Sequence, residues 1–532
     1  MKIEYPTKRP VRFFNTTGPC NPWDHYMLPP ADRLVGAQLD RYVGDKLYWV
    51  LHAPRQTGKT TFLQDWARKI NAGGEAVACY VSLESCQGIT DRAEAMVNIH
   101  KAVCASSEKA GLPVPELPLD TAYSAEFLLQ NTMQKWAKLV SPKPLVVLFD
   151  EADVLTGDPL ISFLRQLRSG FADRGVGKFP VSIALVGMRD LRDYITAAKD
   201  GIAPNPGSPF NIKEDSVFIS NFNKNDVAAL FAQRTEETGQ KITDEAIAYL
   251  YEQSWGQPWI VNNLFKRATI QVLDKDDYQT ITLDHIATAR EQMILARETH
   301  LDALSVRLHD PKIRRVIETI IAGQVDFSIT RTNPDIELAT DLGLIKWDNA
   351  AGFKISNPIY EDILTRHLNS SYYDNLPSPT EWKWQKADGK LDMESLLKEF
   401  QGFWRSHSEI WEEMAGYTEV FPHLLLTAFL QRLLNGGGRT DREVAAGRGR
   451  MDLRIEYMGD KFIIEIKLVR NRDNPEKVRE DGLRQIADYR DKAAPGAPSY
   501  LMIFDRRDKT KEKSWDERIS WEKVGEITVI GC

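Results

Sequence analysis

The chain has 532 residues, 42 % of them hydrophobic and 27 % charged, with a formal net charge of −7; at roughly 150 residues per domain this means three or four domains, with ample apolar material for their cores. The negative balance excludes a general polycation, although Gln431 to Cys532 carries 22 Lys and Arg against 19 Asp and Glu, a local +3 that leaves −10 for the rest. No secretory leader is expected in MKIEYPTKRPVRFF and no run of about 18 apolar residues spans a membrane, while Cys20, Cys79, Cys86, Cys104 and Cys532 form no CxxC pair and read as reduced thiols of a cytoplasmic protein.

Residues 1–45 are punctuated by Pro6, Pro10, Pro19, Pro22, Pro29 and Pro30 and read as an irregular arm. A strand, KLYWVLHA, then leads through a glycine turn into a helix, TTFLQDWARKI. AVACYVSLE, PLVVLFDEAD and VSIALVGM follow as short, continuous apolar runs of the kind buried on both faces of a parallel sheet. Helical stretches such as AEAMVNIHKAVCASSEKAG lie between them, so residues 46–215 are expected to form an α/β domain with right-handed crossovers, closed by the loop GIAPNPGSPFNI.

From 216 to 300 the pattern is helical, as in NDVAALFAQRTEETG and TDEAIAYLYEQSWG. Residues 301–370 form a smaller unit: DPKIRRVIETIIAG reads as a helix with Asp310 as N-cap and Pro311 in its first turn, and ELATDLGLIKW, a DNAAG turn and FKIS read as a helix with a two-stranded wing. Residues 371–390 are a connector, and 391–532 begin with two helices and end in mixed strand and helix.

APRQTGKT, Ala53 to Thr60, fits a phosphate-binding loop with Ala in place of the first Gly, and it stands between a strand and a helix as the mechanism requires. Backbone N–H groups and the helix N-terminus cradle phosphates. Gly58 lets them come close, Lys59 reaches the β/γ oxygens, and Thr60 ligates Mg²⁺ with Thr61 beside it. VVLFDEAD supplies an acidic strand end: Asp150 for Mg²⁺ through water, Glu151 for the attacking water. Beyond the next strand, Arg189 or Arg192 is a candidate sensor of the γ-phosphate or an ordinary surface ion pair.

These residues, with the arm RFFNTTGPCNPWDHYMLPP and the lid sequence GQPWIVNNL, resemble the AAA+/STAND-like ATPases, in particular bacterial AAA-like ATP-binding proteins, over roughly residues 12 to 300. The resemblance implies ATP as ligand, His25, Tyr26 and Met27 near the adenine, Pro258 near the nucleotide from the lid, a winged helix at 301–370 that serves either DNA or protein contact, and a homo-oligomer.

In the last domain DLRIEY and IIEIKL alternate, placing Asp452, Arg454 and Glu456 on one face and Glu465 and Lys467 on the matching face of the next strand. A turn at Gly459-Asp460 sets Asp452 opposite Lys467 and Arg454 opposite Glu465. Carboxylates about 5–7 Å apart can bridge a hard divalent cation, and a lysine beside them can stabilise charge on a phosphate. A solvated hairpin with cross-strand charge pairs is the plainer reading, but IIEIKLV is too apolar for an exposed edge strand, and unpaired buried charge is costly. GGGRTDREVAAGRGR offers glycines and arginines to a phosphate backbone, and DGLRQIADYRDK puts Gln485 and Tyr489 at i, i+4.

This block resembles the PD-(D/E)XK nuclease superfamily, in the branch fused to AAA-like ATPases. Carried by Glu419, Glu443, Gly449-Arg450-x-Asp452, Glu465-x-Lys467, Gln485 and Tyr489, the resemblance implies metal binding by Asp452, Glu465 and Glu419, water activation by Lys467, and nucleic-acid or supporting roles for Glu443, Arg450, Gln485 and Tyr489. Met451 stands where the motif usually has Pro, and His423 reads as a core histidine. The expected whole is an α/β protein, a P-loop NTPase parallel sheet with helical lid and winged helix followed by an α/β nuclease-like domain. Its expected function is ATP-gated, Mg²⁺- or Mn²⁺-dependent DNA cleavage, in the setting of defence against foreign DNA. The alternatives at this point are a nucleotide-switched scaffold that binds nucleic acid or a partner without cutting, and the ATPase partner of a transposase.

Overall fold

The computed structural model describes residues 12–119, 125–188, 213–296, 299–321, 333–349, 352–373, 384, 386, 388, 390–413, 422, 425–426, 429–430, 438–446, 449–457, 459–469, 471, 473–493, 495–505, 507, 510 and 513–532; at 213–214, 299, 369–373, 407–413, 438–446, 449–452 and 492–493 it describes the backbone alone. The chain divides into two compact units, one of 1–302 with 336–346 and 356–359, the other of 303–335, 347–355 and 360–532.

The first unit is built on a six-stranded sheet. Its strands are β1 Leu34–Val35, β2 Tyr48–His52, β3 Val77–Ser82, β4 Leu145–Asp150, β5 Ser182–Gly187 and β6 Lys213–Ile219, in the order β1-β6-β2-β5-β4-β3. All neighbours are parallel except β1 with β6. Every residue of β4 and β5 is buried, as a sheet covered by helices on both faces requires. Side chains alternate between those faces: Tyr48 and Val50 enter the core beneath the helices Arg92–Lys109, Leu128–Leu139 and Gly157–Phe171, whereas Trp49 and Leu51 enter the one that holds Phe62, Leu63 and Trp66 of the helix Lys59–Gly73. The four strands legible as apolar runs all form. The strand β6 was not foreseen: it spans the expected 215/216 boundary and inserts between β1 and β2.

Four lid helices follow, Lys224–Thr238, Asp244–Ser254, Pro258–Arg267 and Leu283–Leu295. Asn223 and Asp226 close a capping box on the first, and Thr243 caps the second, each cap worth about 1 kcal/mol. The arm is not free: Phe14 packs among Tyr26, Phe231 and Phe265, and Gln233 donates to Met27 O at 3.0 Å.

In the second unit the helix Pro311–Ile321 starts as expected, with the Lys312 N–H donating to Asp310 Oδ1 at 2.9 Å. The strands β7 Ile345–Asp348 and β8 Gly352–Ile355 form a two-stranded sheet. A second six-stranded sheet holds β9 Gly438–Ala446, β10 Gly449–Tyr457, β11 Asp460–Val469, β12 Ser499–Asp505, β13 Ser520–Val524 and β14 Ile527–Gly531, in the order β13-β14-β12-β11-β10-β9. The strand β11 is central, antiparallel to β10 and parallel to β12. Leu453, Ile455, Ile464 and Ile466 pack beneath Leu397, Phe400 and Trp404 of the helix Met393–Glu413, while Ile463 and Leu501 pack on the other face beneath Ile486 and Tyr489 of the helix Pro475–Ala493. No helix among the described residues is long and apolar enough to cross a membrane, and the five cysteines are free thiols.

Candidate functional site

The loop Ala53–Gly58 leaves β2 and enters the helix Lys59–Gly73. Gln56 and Gly58 take φ of 58° and 95°, left-handed values that turn successive N–H groups into an anion-binding concavity. Lys59 Nζ donates to Ala53 O at 2.7 Å and Pro54 O at 2.8 Å. Burial lowers its pKa to about 8, against the pull of Asp150. Thr60 Oγ1 donates to Asp150 Oδ2 at 2.6 Å, across the intervening strand β5. A hydroxyl beside a carboxylate is an all-oxygen donor set, which suits Mg²⁺. Burial also raises the Asp150 pKa, with Thr60 and Lys59 opposing.

Glu151, at φ 58°, turns away from β4, and Ser82 Oγ donates to its Oε2 at 3.3 Å. Its pKa is raised, first by burial and then by Asp150. Arg189 and Arg192 lie outside the described residues.

A cavity of about 250 Å³ opens beside the loop, between Gly58–Thr61, the arm at Asn15–Cys20, and Pro258, Trp259 and Asn262 of the lid. Pro258 lines this cavity from the lid side. Thr61 Oγ1 is engaged, accepting from the Cys20 N–H at 3.0 Å. His25 and Tyr26 are buried and do not line this cavity; the arm presents the stretch just upstream of them, because Phe14 and Tyr26 are drawn into the lid core.

In the second unit Glu465 is 1 % exposed and takes a charge-assisted hydrogen bond from Lys467 Nζ at 2.7 Å. Both stand on the β11 face covered by the helix Pro475–Ala493. A Cβ added at Gly482 of that helix would lie 3.2 Å from Lys467 Cγ and 2.7 Å from Leu501, so only glycine lets the helix approach the charged strand so closely. The hairpin register differs from expectation. Tyr457 pairs with Asp460 and Arg454 with Ile463, with Gly459 at φ 86° in the connection between the strands. The paired stretch runs from Tyr457–Asp460 to Leu453–Ile464, two residues off the expected register. The faces are unchanged, since the shift is two residues.

Glu419, His423 and the side chains of Asp452, Glu443 and Arg450 lie outside the described residues. Among the described residues, no group of three or more His, Cys, Asp and Glu is placed to hold a metal ion. Tyr489 is 3 % exposed, in the core beneath its helix, whereas Gln485 faces solvent, so the structure does not bring this expected pair together.

The model of the PD-(D/E)XK nuclease superfamily matches residues 417–500. The second unit carries a PD-(D/E)XK-type segment. Among solved structures, the chain is similar to the Walker-type ATPase PABY2304 of Pyrococcus abyssi, at 13 % identity and a TM-score of 0.45 over 66 % of this chain and 99 % of that one. It is also similar to the RuvB Holliday junction branch migration motor of Thermotoga maritima (12 %, TM-score 0.33, 61 % and 90 %) and to Cdc6p of Pyrobaculum aerophilum (14 %, TM-score 0.33, 63 % and 92 %). No curated protein matches the chain. The PD-(D/E)XK match begins at Tyr417 and ends in β12, and so contains Asp452, Glu465 and Lys467.

Three residues that matter were not foreseen. Arg33 is 8 % exposed and its Nη1 donates to Thr57 O at 2.9 Å and Ser220 O at 3.0 Å, tying the phosphate loop to the end of β6. Burial lowers its pKa to about 10. Gly256 carries φ 68°, and a Cβ there would lie 1.8 Å from Phe222 O. Asn262, inside the quoted lid motif, lines the cavity. Nothing in the local sequence of ADRLVG marks Arg33, whose partners are 24 and 187 residues away. The GQP of the lid motif was a visible signal for Gly256.

Proposed function

We propose that this chain is an ATP-gated, divalent-metal-dependent DNA endonuclease. The observation that carries the reading is the pairing, on one chain, of a phosphate loop joined to an acidic strand end (Thr60 to Asp150, 2.6 Å) and a PD-(D/E)XK-type segment whose buried Glu465 is ion-paired with Lys467. In the first unit Lys59 would exchange its loop carbonyls for the β/γ-phosphate oxygens, Thr60 and Asp150 would hold Mg²⁺, which supplies charge neutralisation of the phosphates, and Glu151 would orient and deprotonate the attacking water. Arg189 is proposed as the γ-phosphate sensor, with Thr61 and Pro258 shaping the nucleotide's surroundings.

In the second unit Asp452 and Glu465, with Glu419, would hold Mg²⁺ or Mn²⁺, which supplies Lewis-acid stabilisation of the phosphodiester. Lys467 positions the water and meets negative charge developing on the phosphate. Glu443, Arg450 and Gln485 are proposed to meet or support the nucleic acid, and Tyr489 to hold the helix in place. The proposed organisation is an arm (1–45), ATPase core (46–215), lid (216–300), winged helix (301–370), linker (371–390) and nuclease-like domain (391–532), acting in the cytoplasm as a homo-oligomer in defence against foreign DNA.

The test is nicking or linearisation of supercoiled plasmid with ATP and Mg²⁺ or Mn²⁺. Wild type is expected to cut, and Asp452→Ala and Lys467→Ala to lose cutting while retaining ATP hydrolysis. Cutting unchanged in both variants overturns the assignment.

A further inference from the structure

The phosphate loop rests on a buried cation. Arg33 is 8 % exposed, and its Nη1 donates to Thr57 O at 2.9 Å and to Ser220 O at 3.0 Å. Its own carbonyl accepts from the Ser220 N–H and the Ser220 hydroxyl, both at 2.9 Å, so backbone and side chain are pinned to the same residue. The guanidinium also lies over the Phe222 ring, 4.8 Å from its centroid. Among the described residues its hydrogen bonds go to neutral carbonyls and none goes to a carboxylate. Asp226 is near enough to attract the charge, but it accepts from the Asn223 N–H at 2.8 Å. A buried cation without an ion pair is costly, and an anion brought close recovers part of that cost.

Position decides what that cation does. Gly58 lines the cavity beside the loop, whereas Arg33 faces a separate cavity of about 430 Å³ shared with Phe222, Asp226 and Trp255. Arg33 therefore holds the loop from behind. The Thr57–Gly58 peptide is trans, and in a trans peptide the C=O and N–H point in opposite directions. With its carbonyl drawn back to Arg33, this peptide turns the Gly58 N–H forward. At φ 95° Gly58 leaves the peptide free to flip, and a flip would aim a carbonyl oxygen at the phosphates. Neighbouring carbonyls are tied as well: Ala53 O and Pro54 O by Lys59, and Gly58 O by the Phe62 N–H at 3.0 Å. In the proposed mechanism Lys59 leaves its carbonyls for the phosphates, whereas Arg33 stays behind the loop.

We infer that Arg33 is a positioning residue for polyphosphate binding: from behind the loop it fixes the Thr57–Gly58 peptide so that the Gly58 N–H meets the phosphates, and its charge faces them through the loop. The inference rests on reading the first unit as a nucleotide site. It ties affinity to the phosphate chain rather than to the nucleoside, because a presented N–H and a cation both favour the anionic end of the ligand. Arginine suits the task, since its planar group sends donors in fixed directions to two carbonyls at once.

The experiment measures binding of ATP, ADP and AMP to the full chain by calorimetry, in wild type, Arg33→Met and Arg33→Lys. Arg33→Met is expected to lose at least about tenfold of the wild-type preference for ATP over AMP, the worth of one hydrogen bond to a charged group, while AMP binds within about threefold of wild type. Arg33→Lys, which keeps the charge, is expected to fall between the two. A merely structural role would weaken all three nucleotides alike, and that result overturns the inference. Amide hydrogen exchange at Gly58 in wild type gives a reading that needs no variant to fold: ATP should slow it at least about tenfold, and AMP should not. If wild type binds ATP and Lys59→Ala does not, yet Arg33→Met keeps the wild-type preference or ATP leaves exchange at Gly58 unchanged, the role of Arg33 is overturned and the nucleotide site stands. If wild type binds none of the three, both fall.

Discussion

Replacing Lys467 by Met removes the ammonium and keeps most of the stem. Glu465 is 1 % exposed and Lys467 Nζ is 2.7 Å from its Oε1. Removing one partner of a buried ion pair costs about 3–5 kcal/mol. The lost packing is small by comparison: a swap that conserves volume costs under about 1.5 kcal/mol, and Met preserves the contact beneath Gly482. Electrostatics should therefore dominate. Amide hydrogen exchange along Ile464–Val469 reads the effect locally, without requiring the two units to unfold together. At about 1.4 kcal/mol per factor of ten, Lys467→Met should speed exchange at least about a hundredfold where it proceeds through opening of β11. Glu465→Gln in the same chain should return most of that loss, since a neutral amide has far less to lose on burial. Exchange within about threefold of wild type in Lys467→Met, or no recovery in the double variant, would refute the reasoning, because the carboxylate's charge would then be held by something other than Lys467.

Gly58→Ala forces a Cβ onto a residue at φ 95° and to within 2.7 Å of Arg33 Nη2; the left-handed backbone alone costs about 1–2 kcal/mol, and ATP affinity measured by calorimetry should fall at least about tenfold. Gly256→Ala has no space at all, with Phe222 O at 1.8 Å, so the Tm of the first unit should drop and ATP binding weaken with it; an unchanged Tm would mean the lid turn can shift freely. Cys20 lines the cavity beside the phosphate loop, and its pKa is raised, first by burial. Because the thiolate is the nucleophile, its alkylation should stay slow at pH 8 and accelerate only above the range of an ordinary thiol, and ATP should slow it further; mass-spectrometric labelling of Cys20 checks both.

The parallel sheet could be read from the sequence because a strand buried on both faces must be apolar throughout, and VVLF and SIALVG are. The phosphate loop was legible for a related reason: anion binding through backbone N–H groups demands glycine and a helix start in fixed order. The strand β6 hid because KEDSVFI mixes charges with apolar residues and follows a long loop. The β10–β11 hairpin shows where periodicity stops. An alternation of two fixes which face Asp452, Glu465 and Lys467 share, yet it is indifferent to a two-residue slip, and Gly459 fits either turn. The partners of Arg33, Asn262 and Gly482 are set by tertiary packing, and no local pattern specifies them. Tyr489, to which the resemblance gave a nucleic-acid or supporting role, lies in the core beneath its helix, and i, i+4 spacing alone does not tell a core face from an open one.

The central claim is that one chain holds a nucleotide switch and a metal-dependent nuclease that answers to it. Its most direct test follows ATP hydrolysis and plasmid cleavage in the same Mg²⁺ reaction for wild type, Thr60→Ala and Glu465→Gln. The expected result is cleavage and hydrolysis in wild type, loss of both in Thr60→Ala, and hydrolysis without cleavage in Glu465→Gln. Cleavage that persists in Glu465→Gln, or that proceeds at the wild-type rate in Thr60→Ala, would contradict it.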